Sequence, residues 1–182
     1  MATYDAISNK IQDEFMKLFA KKQLHDITVK ELCAQVGIAW TAFYNYYSDV
    51  YDVLETVENL LIYDLKELNG EFYNADIRGN QQKEGFFKKT LMYIKERDTW
   101  FRALLNKSRD GQFIYKWTRI IKEDFSRRYH HEKIVLENET LVLEMIASSA
   151  IGVYMYWVNN LDEVSMDVVE KEALFRLCSD FV

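Results

Sequence analysis

No proline interrupts this chain of 182 residues, and glycine occurs only six times. Proline and glycine are the residues that most often break helices and turn strands. Their scarcity points to long helices joined by few sharp turns, and so to an all-α fold. Hydrophobic residues make up 49% of the chain and aromatic residues 15%, enough apolar side chain to give those helices a real core. No apolar stretch approaches the roughly 18 residues of a membrane span. The longest, Ile146 to Val158, contains Ser, Gly and Tyr and reads as a buried or interfacial helix. The opening Met1-Ala2-Thr3-Tyr4-Asp5 has no basic region followed by an apolar core, so no signal peptide is expected and the reading is cytoplasmic. Cys33 and Cys178 lie far apart on predicted apolar faces and read as buried free thiols.

The segment Ile27 to Asp49 is the most specific part of the chain. Thr28 stands three residues before Glu31, a capping box that can start a helix. Val29, Leu32, Cys33 and Val36 recur at helical spacing and form one apolar face. Gly37 follows, where a sharp turn calls for a left-handed residue. Ile38 and Phe43 can pack a second short helix back on the first, leaving Trp40, Thr41, Tyr44 and Asn45 facing outward. Two short helices about a glycine turn are the layout of a helix-turn-helix, which sets one helix in the major groove of DNA.

On these residues the chain resembles the tetracycline-repressor (TetR) family over about its first 55 positions. Ile38, Phe43, Tyr44 and Tyr47 fit that family's pattern, as does the upstream helix, Ile7 through Lys22, with Ile7, Ile11, Phe15, Leu18 and Phe19 on one face. The resemblance implies a three-helix DNA-binding headpiece, residues 1–47, followed by a larger helical ligand-binding and dimerisation domain, residues 48–182. It implies a homodimeric transcriptional regulator of double-stranded DNA, more often a repressor, controlled by a small ligand in the body. Thr28, Lys30, Trp40, Thr41, Tyr44, Asn45 and Tyr46 are expected to face the duplex. Tyr44 and Thr28 are expected on phosphates, with Asn45 as a base reader.

Three positions depart from the family pattern. Ala39 stands where a capping Ser or Thr is usual, Trp40 where a small, polar or basic residue is common, and Val50 where the family has a phosphate-contacting Lys. No Lys or Arg occurs from Ala39 to Val50. Residues 1–47 hold five lysines (10, 17, 21, 22 and 30) against five acids (5, 13, 14, 26 and 31), a net of zero, within a chain at −6. Neutralising phosphates supplies most non-specific affinity for duplexes. Weak or strongly salt-sensitive DNA binding is therefore expected. The alternative is a TetR-like protein with weakened DNA reading that acts through a protein partner.

The rest reads as further helices. Ser48 is expected to cap a long fourth helix ending near Asn69-Gly70, with residues 71–80 a loop. Gln81–Arg97, Thr99–Asn106, Gln112–His131, Asn138–Asn160 and Ser165–Phe181 follow as helices, with a turn at residues 107–111. The body is rich in large aromatics. Tyr63, Phe87, Tyr93, Trp100, Trp117 and Tyr154 are candidates to line a mostly apolar pocket for an uncharged or weakly polar ligand. The small residues of the penultimate helix allow close approach of another helix. Ser148, Ser149, Gly152 and Leu174 are the candidate dimer contacts.

Nothing in the sequence points to catalysis. The glycines never cluster into a phosphate loop, and no Ser/His/Asp spacing suggests a nucleophile. His130 and His131 are adjacent on a helix and point in different directions, a poor metal site. His25 reads as a cation at the end of the first helix. No cofactor, metal or membrane partner is expected.

Overall fold

The structure, a computed structural model, describes residues 2–77, 86–107 and 112–174. All regular structure among these residues is helical. In chain order the elements are α1 (Ala2–Phe19), a 3-10 turn (Leu24–Asp26), α2 (Val29–Val36), α3 (Trp40–Phe43), α4 (Val50–Ile77), α5 (Phe86–Glu96), α6 (Asp98–Lys107), α7 (Gln112–Glu132), α8 (Glu139–Asn159) and α9 (Met166–Val168). A π turn, Val169–Leu174, continues α9. The expected positions 78–85, 108–111 and 175–182, Cys178 among them, lie outside the described residues.

The chain divides into two compact units, residues 1–61 and 62–182. The division falls within α4, not at residue 47 where the recognition turn ends. The opening turns of α4 belong to the first unit because Val50, Val53, Val57 and Leu61 repeat at helical spacing and are all buried. With them, Ile11, Phe15, Leu32, Val36 and Phe43 form the core of that unit. Of its buried polar groups, Gln12 donates to the Tyr47 hydroxyl at 2.8 Å, and Ser8 shares a 2.7 Å bond with the same oxygen.

Two expectations about α4 are corrected. Its N-terminal cap is Asp49, not Ser48: Asp49 Oδ1 accepts from the amides of Tyr51 (2.8 Å) and Asp52 (2.9 Å). Asp52 Oδ2 reaches back to accept from the Ser48 amide at 2.8 Å. A carboxylate is both a better acceptor and a better match for the positive helix end than a hydroxyl. At its other end α4 runs through Gly70 to Ile77, so residues 71–77 are helix and not loop. One glycine weighs about 1 kcal/mol against a helix, too little to end one whose neighbours favour it. His25 lies in the 3-10 turn beyond α1, not at the end of that helix.

In the second unit α7 and α8 run antiparallel and α6 packs on both. Their pairing is legible residue by residue, from Ser126 Oγ on Glu139 (2.6 Å), through Lys122 on Glu144 (2.7 Å), to Trp117 stacked on Tyr154 (4.8 Å, 14°). Asn138 caps α8 by accepting from the Leu141 amide at 3.1 Å, and Ser165 caps α9. Contrary to the sequence expectation, α8 is long and apolar enough in composition to cross a membrane. Its buried residues, Ile146, Ala147, Ala150, Ile151, Tyr154, Trp157 and Val158, form a central face of this unit. Val169 is buried in the π turn, but Val168 on α9 is exposed.

Candidate nucleic-acid interface

The helix-turn-helix is built from local chemistry. Thr28 Oγ1 accepts from the Glu31 amide at 3.2 Å and opens α2. The Glu31 carboxylate is itself engaged by Lys22 Nζ at 2.5 Å. Leu32, Cys33 and Val36 turn inward. Gly37 ends α2 at φ 78°, ψ 36°, its amide and that of Ile38 both donating to the Cys33 carbonyl at 2.9 and 3.1 Å. Space is not what demands glycine there, since a Cβ would meet nothing within 4 Å; the left-handed φ is. Lys10 Nζ adds a 2.8 Å bond to the Val36 carbonyl, a cation at a helix C-terminus. Burial pushes the Cys33 thiol above its ordinary pKa, so it stays protonated and inert.

The second helix is shorter than expected. α3 has regular geometry only over Trp40–Phe43, and the chain then continues in turns to Tyr47. Ala39 offers its carbonyl to the Ala42 and Phe43 amides but no side-chain cap. The run that follows is aromatic, with modest helix propensity. Phe43 and Tyr47 are buried and anchor this segment to the core. The residues between and before them stay outside. Thr28, Lys30, Thr41 and Asn45 are exposed, Trp40 is 63% exposed, Tyr44 is 52% exposed, and Tyr46 is half-buried. The Trp40 and Tyr44 rings meet edge to face at 6.0 Å and 88°.

The surrounding cations are partly spent on the fold. Lys10 caps α2, Lys17 pairs with Glu14, and Lys22 pairs with Glu31. Lys21 and Lys30 are exposed. Val50 is only 6% exposed. It is part of the headpiece core and not a surface position awaiting a charge.

The residues expected to line a pocket in the body are dispersed. Tyr63 is exposed and lines no interior of its unit. Tyr93, half-buried, donates its hydroxyl to Asp64 Oδ2 at 2.5 Å, and the Arg97 guanidinium lies 4.3 Å over its ring. Burial, then the Asp64 bond, pushes the Tyr93 phenol well above its usual pKa. Trp100 is half-buried and Phe87 is buried. Trp117 and Tyr154 are buried and close each other's faces by stacking, and Phe101 and Phe113 pack on Trp117 at 5.6 and 5.8 Å. Thr90 Oγ1, on α5, is buried without a hydrogen-bond partner among the described residues. An open cleft of about 470 Å³ lies elsewhere in the unit, lined by Lys66, Lys122, Glu123, Ser126, Arg127 and Leu143. Sequence reasoning missed this cleft, because its residues come from separate helices whose exposed faces look alike in sequence. Arg102 is on the surface beside Asp98, at 3.8 Å.

Three of the four candidate dimer residues lie on the outer face of α8. Ser148, Ser149 and Gly152 are exposed, in line with exposed Leu141, Met145 and Tyr156. A Cβ at Gly152 would meet nothing within 4 Å. Leu174 falls in the π turn, and its side chain lies outside the described residues.

The geometry defines an all-helical protein with a helix-turn-helix at its head. No protein-family model matches the chain. An uncharacterised HTH-type transcriptional regulator of Bacillus subtilis (strain 168), YxbF, is 20% identical over 168 residues, which is 90% of this chain and 42% of YxbF. The chain thus spans less than half the length of that relative. Among solved structures, a Syntrophomonas wolfei protein assigned to the TetR family of transcriptional regulators superposes with a TM-score of 0.77 at 14% identity, covering 97% of this chain and 95% of that one. The fatty acid degradation regulator FadR of Bacillus halodurans gives 0.64 at 14% identity, with 94% of each chain covered. The dihydroxyacetone kinase operon activator DhaS gives 0.60 at 15% identity, with 96% of each covered. The chain has the fold of the TetR-family regulators.

Proposed function

We propose that this chain is a sequence-reading DNA-binding transcriptional regulator that works as a homodimer and is controlled by a small molecule in its helical body. The observation that carries the reading is the reading face itself. A capped α2, a left-handed Gly37 and a tethered α3 turn present Thr28, Lys30, Trp40, Thr41, Tyr44 and Asn45 on one exposed helix-turn-helix. Relatives and structural neighbours that are themselves regulators support it. Repression is the more economical sign, since occupying an operator suffices to block transcription. DhaS shows that this fold also serves an activator. The site of action is the cytoplasm, where the operator is.

Dimerisation through α8 is supported by the exposed stripe at Leu141, Met145, Ser149, Gly152 and Tyr156. A two-fold dimer sets its reading heads to half-sites about one helical turn (~34 Å) apart. A ligand that binds one arrangement of the heads better shifts the dimer toward it. Thr90, with its unsatisfied hydroxyl, stands on the same helix as Phe87 and Tyr93 and supports a weakly polar ligand near α5. The protein-partner alternative draws no support from the relatives.

The test is a titration of the full chain against its own upstream region at low and high salt. Saturable binding that competitor DNA of random sequence fails to displace is the expected result. Equal affinity for the upstream region and random duplex would overturn the reading.

A further inference from the structure

The reading face combines little charge with a large apolar side chain at its head. Trp40 is the first residue of α3 and 63% exposed. Its ring is braced by Tyr44, which is itself exposed, while the core takes Phe43 and Tyr47 in their place. The flanking Ala39 carries no hydrogen-bonding side chain, and no Lys or Arg occurs from Ala39 to Val50. The commonest base contact, a bidentate Arg or Lys on guanine, is therefore closed to α3.

One base edge in the major groove matches an indole. Thymine presents the only apolar group there, its C5-methyl, and beside it the O4 acceptor. The indole presents an apolar face and one N–H donor, with no acceptor. Cytosine, whose exocyclic amine is a donor in the same place, offers the indole N–H nothing.

We propose that Trp40, braced by Tyr44, reads a thymine through its C5-methyl group in the major groove, so that each operator half-site carries a thymine opposite the start of α3. This rests on the DNA-binding reading above. It makes the affinity of the headpiece depend on apolar contact where most such faces rely on cations.

The experiment uses the full chain and duplexes it selects from a random-sequence pool at low salt. In the enriched half-site each thymine is replaced singly by deoxyuridine, which deletes the methyl and leaves pairing and O4 intact. One replacement is expected to weaken wild-type binding about fourfold, the value of one buried methylene-sized group. Trp40→Ala should bind the thymine and deoxyuridine duplexes equally, and Trp40→Phe should retain a preference. Both variants keep the fold, since the side chain is largely exposed, and circular dichroism checks it. If every deoxyuridine duplex binds the wild type as tightly as its parent, the thymine assignment is wrong while DNA reading stands. A preference that persists undiminished in Trp40→Ala assigns the methyl to another residue and also overturns it. If no duplex is enriched or bound, DNA reading itself fails, and the Trp40–Tyr44 pair is left as a surface for a protein.

Discussion

At the scale of single residues, burial decides which side chains are available to DNA. Val50 looks in sequence like a vacated phosphate contact, yet it is 6% exposed. Val50→Lys is therefore expected to lower the melting temperature, because it drives an ammonium into an apolar site, and to give no gain in affinity. The productive place for a cation is the exposed Ser48, whose amide bond to Asp52 is made by the backbone and survives substitution. Ser48→Lys should tighten binding by a similar factor on all duplexes and steepen the salt slope by about one unit per head. A slope unchanged in salt titrations would mean that this corner stands away from the phosphates. Tyr44→Ala combined with Asn45→Ala should abolish preference for the upstream region; unchanged affinity would show that the reading face is misplaced. Asp49→Ala, which deletes two cap bonds, should cost about 1 kcal/mol of stability, measured by denaturant unfolding.

At the scale of elements, what the sequence made legible was whatever is decided locally. The Thr28 cap and the left-handed Gly37 each depend on a few adjacent residues, and both are in place. The errors came where a single residue's signal is outweighed by its neighbours or by packing. Gly70 reads as a stop, but α4 continues through it. Ser48 is a good cap in isolation, but Asp49 caps the helix one step on while Asp52 takes the Ser48 amide. The aromatics of α6, α7 and α8 read as pocket lining, yet periodicity cannot distinguish a ring that faces a void from one that faces another ring. Trp117 and Tyr154 do the latter. Gly152 poses the opposite case, a mid-helix glycine with open space around it. For an isolated chain, Gly152→Ala should stabilise α8 by about 1 kcal/mol. If a second α8 packs there, the same change should weaken the dimer, and Gly152→Arg should yield monomers or insoluble protein. Sedimentation at tens of micromolar, on the order of ordinary dimer affinities, separates these outcomes. A wild type that is monomeric there would remove the interface.

At the scale of the whole molecule, charge is unevenly shared. The chain stands at −6 and residues 1–47 at zero, so residues 48–182 carry the entire −6. Three of the headpiece lysines are already engaged within it. The salt slope of duplex binding follows the number of neutralised phosphates, about 0.9 per contact. Few free cations therefore imply a shallow slope, in place of the strong salt sensitivity that the neutral count alone suggests. Plotting log K against log salt for the full chain should give a slope shallower than about −4, roughly two contacts per head. A steep slope would require cations outside the headpiece at the DNA.

The bond between Tyr47, Gln12 and Ser8 has a consequence for how such a protein changes over time. It holds the geometry of the reading turn through side chains that bond one another within the unit. Trp40 and Thr41, by contrast, are exposed, and neither is needed to cap or anchor α3. Shape and vocabulary are thus held by different residues. The surface positions can be rewritten toward a new operator while the scaffold that displays them stays as it is.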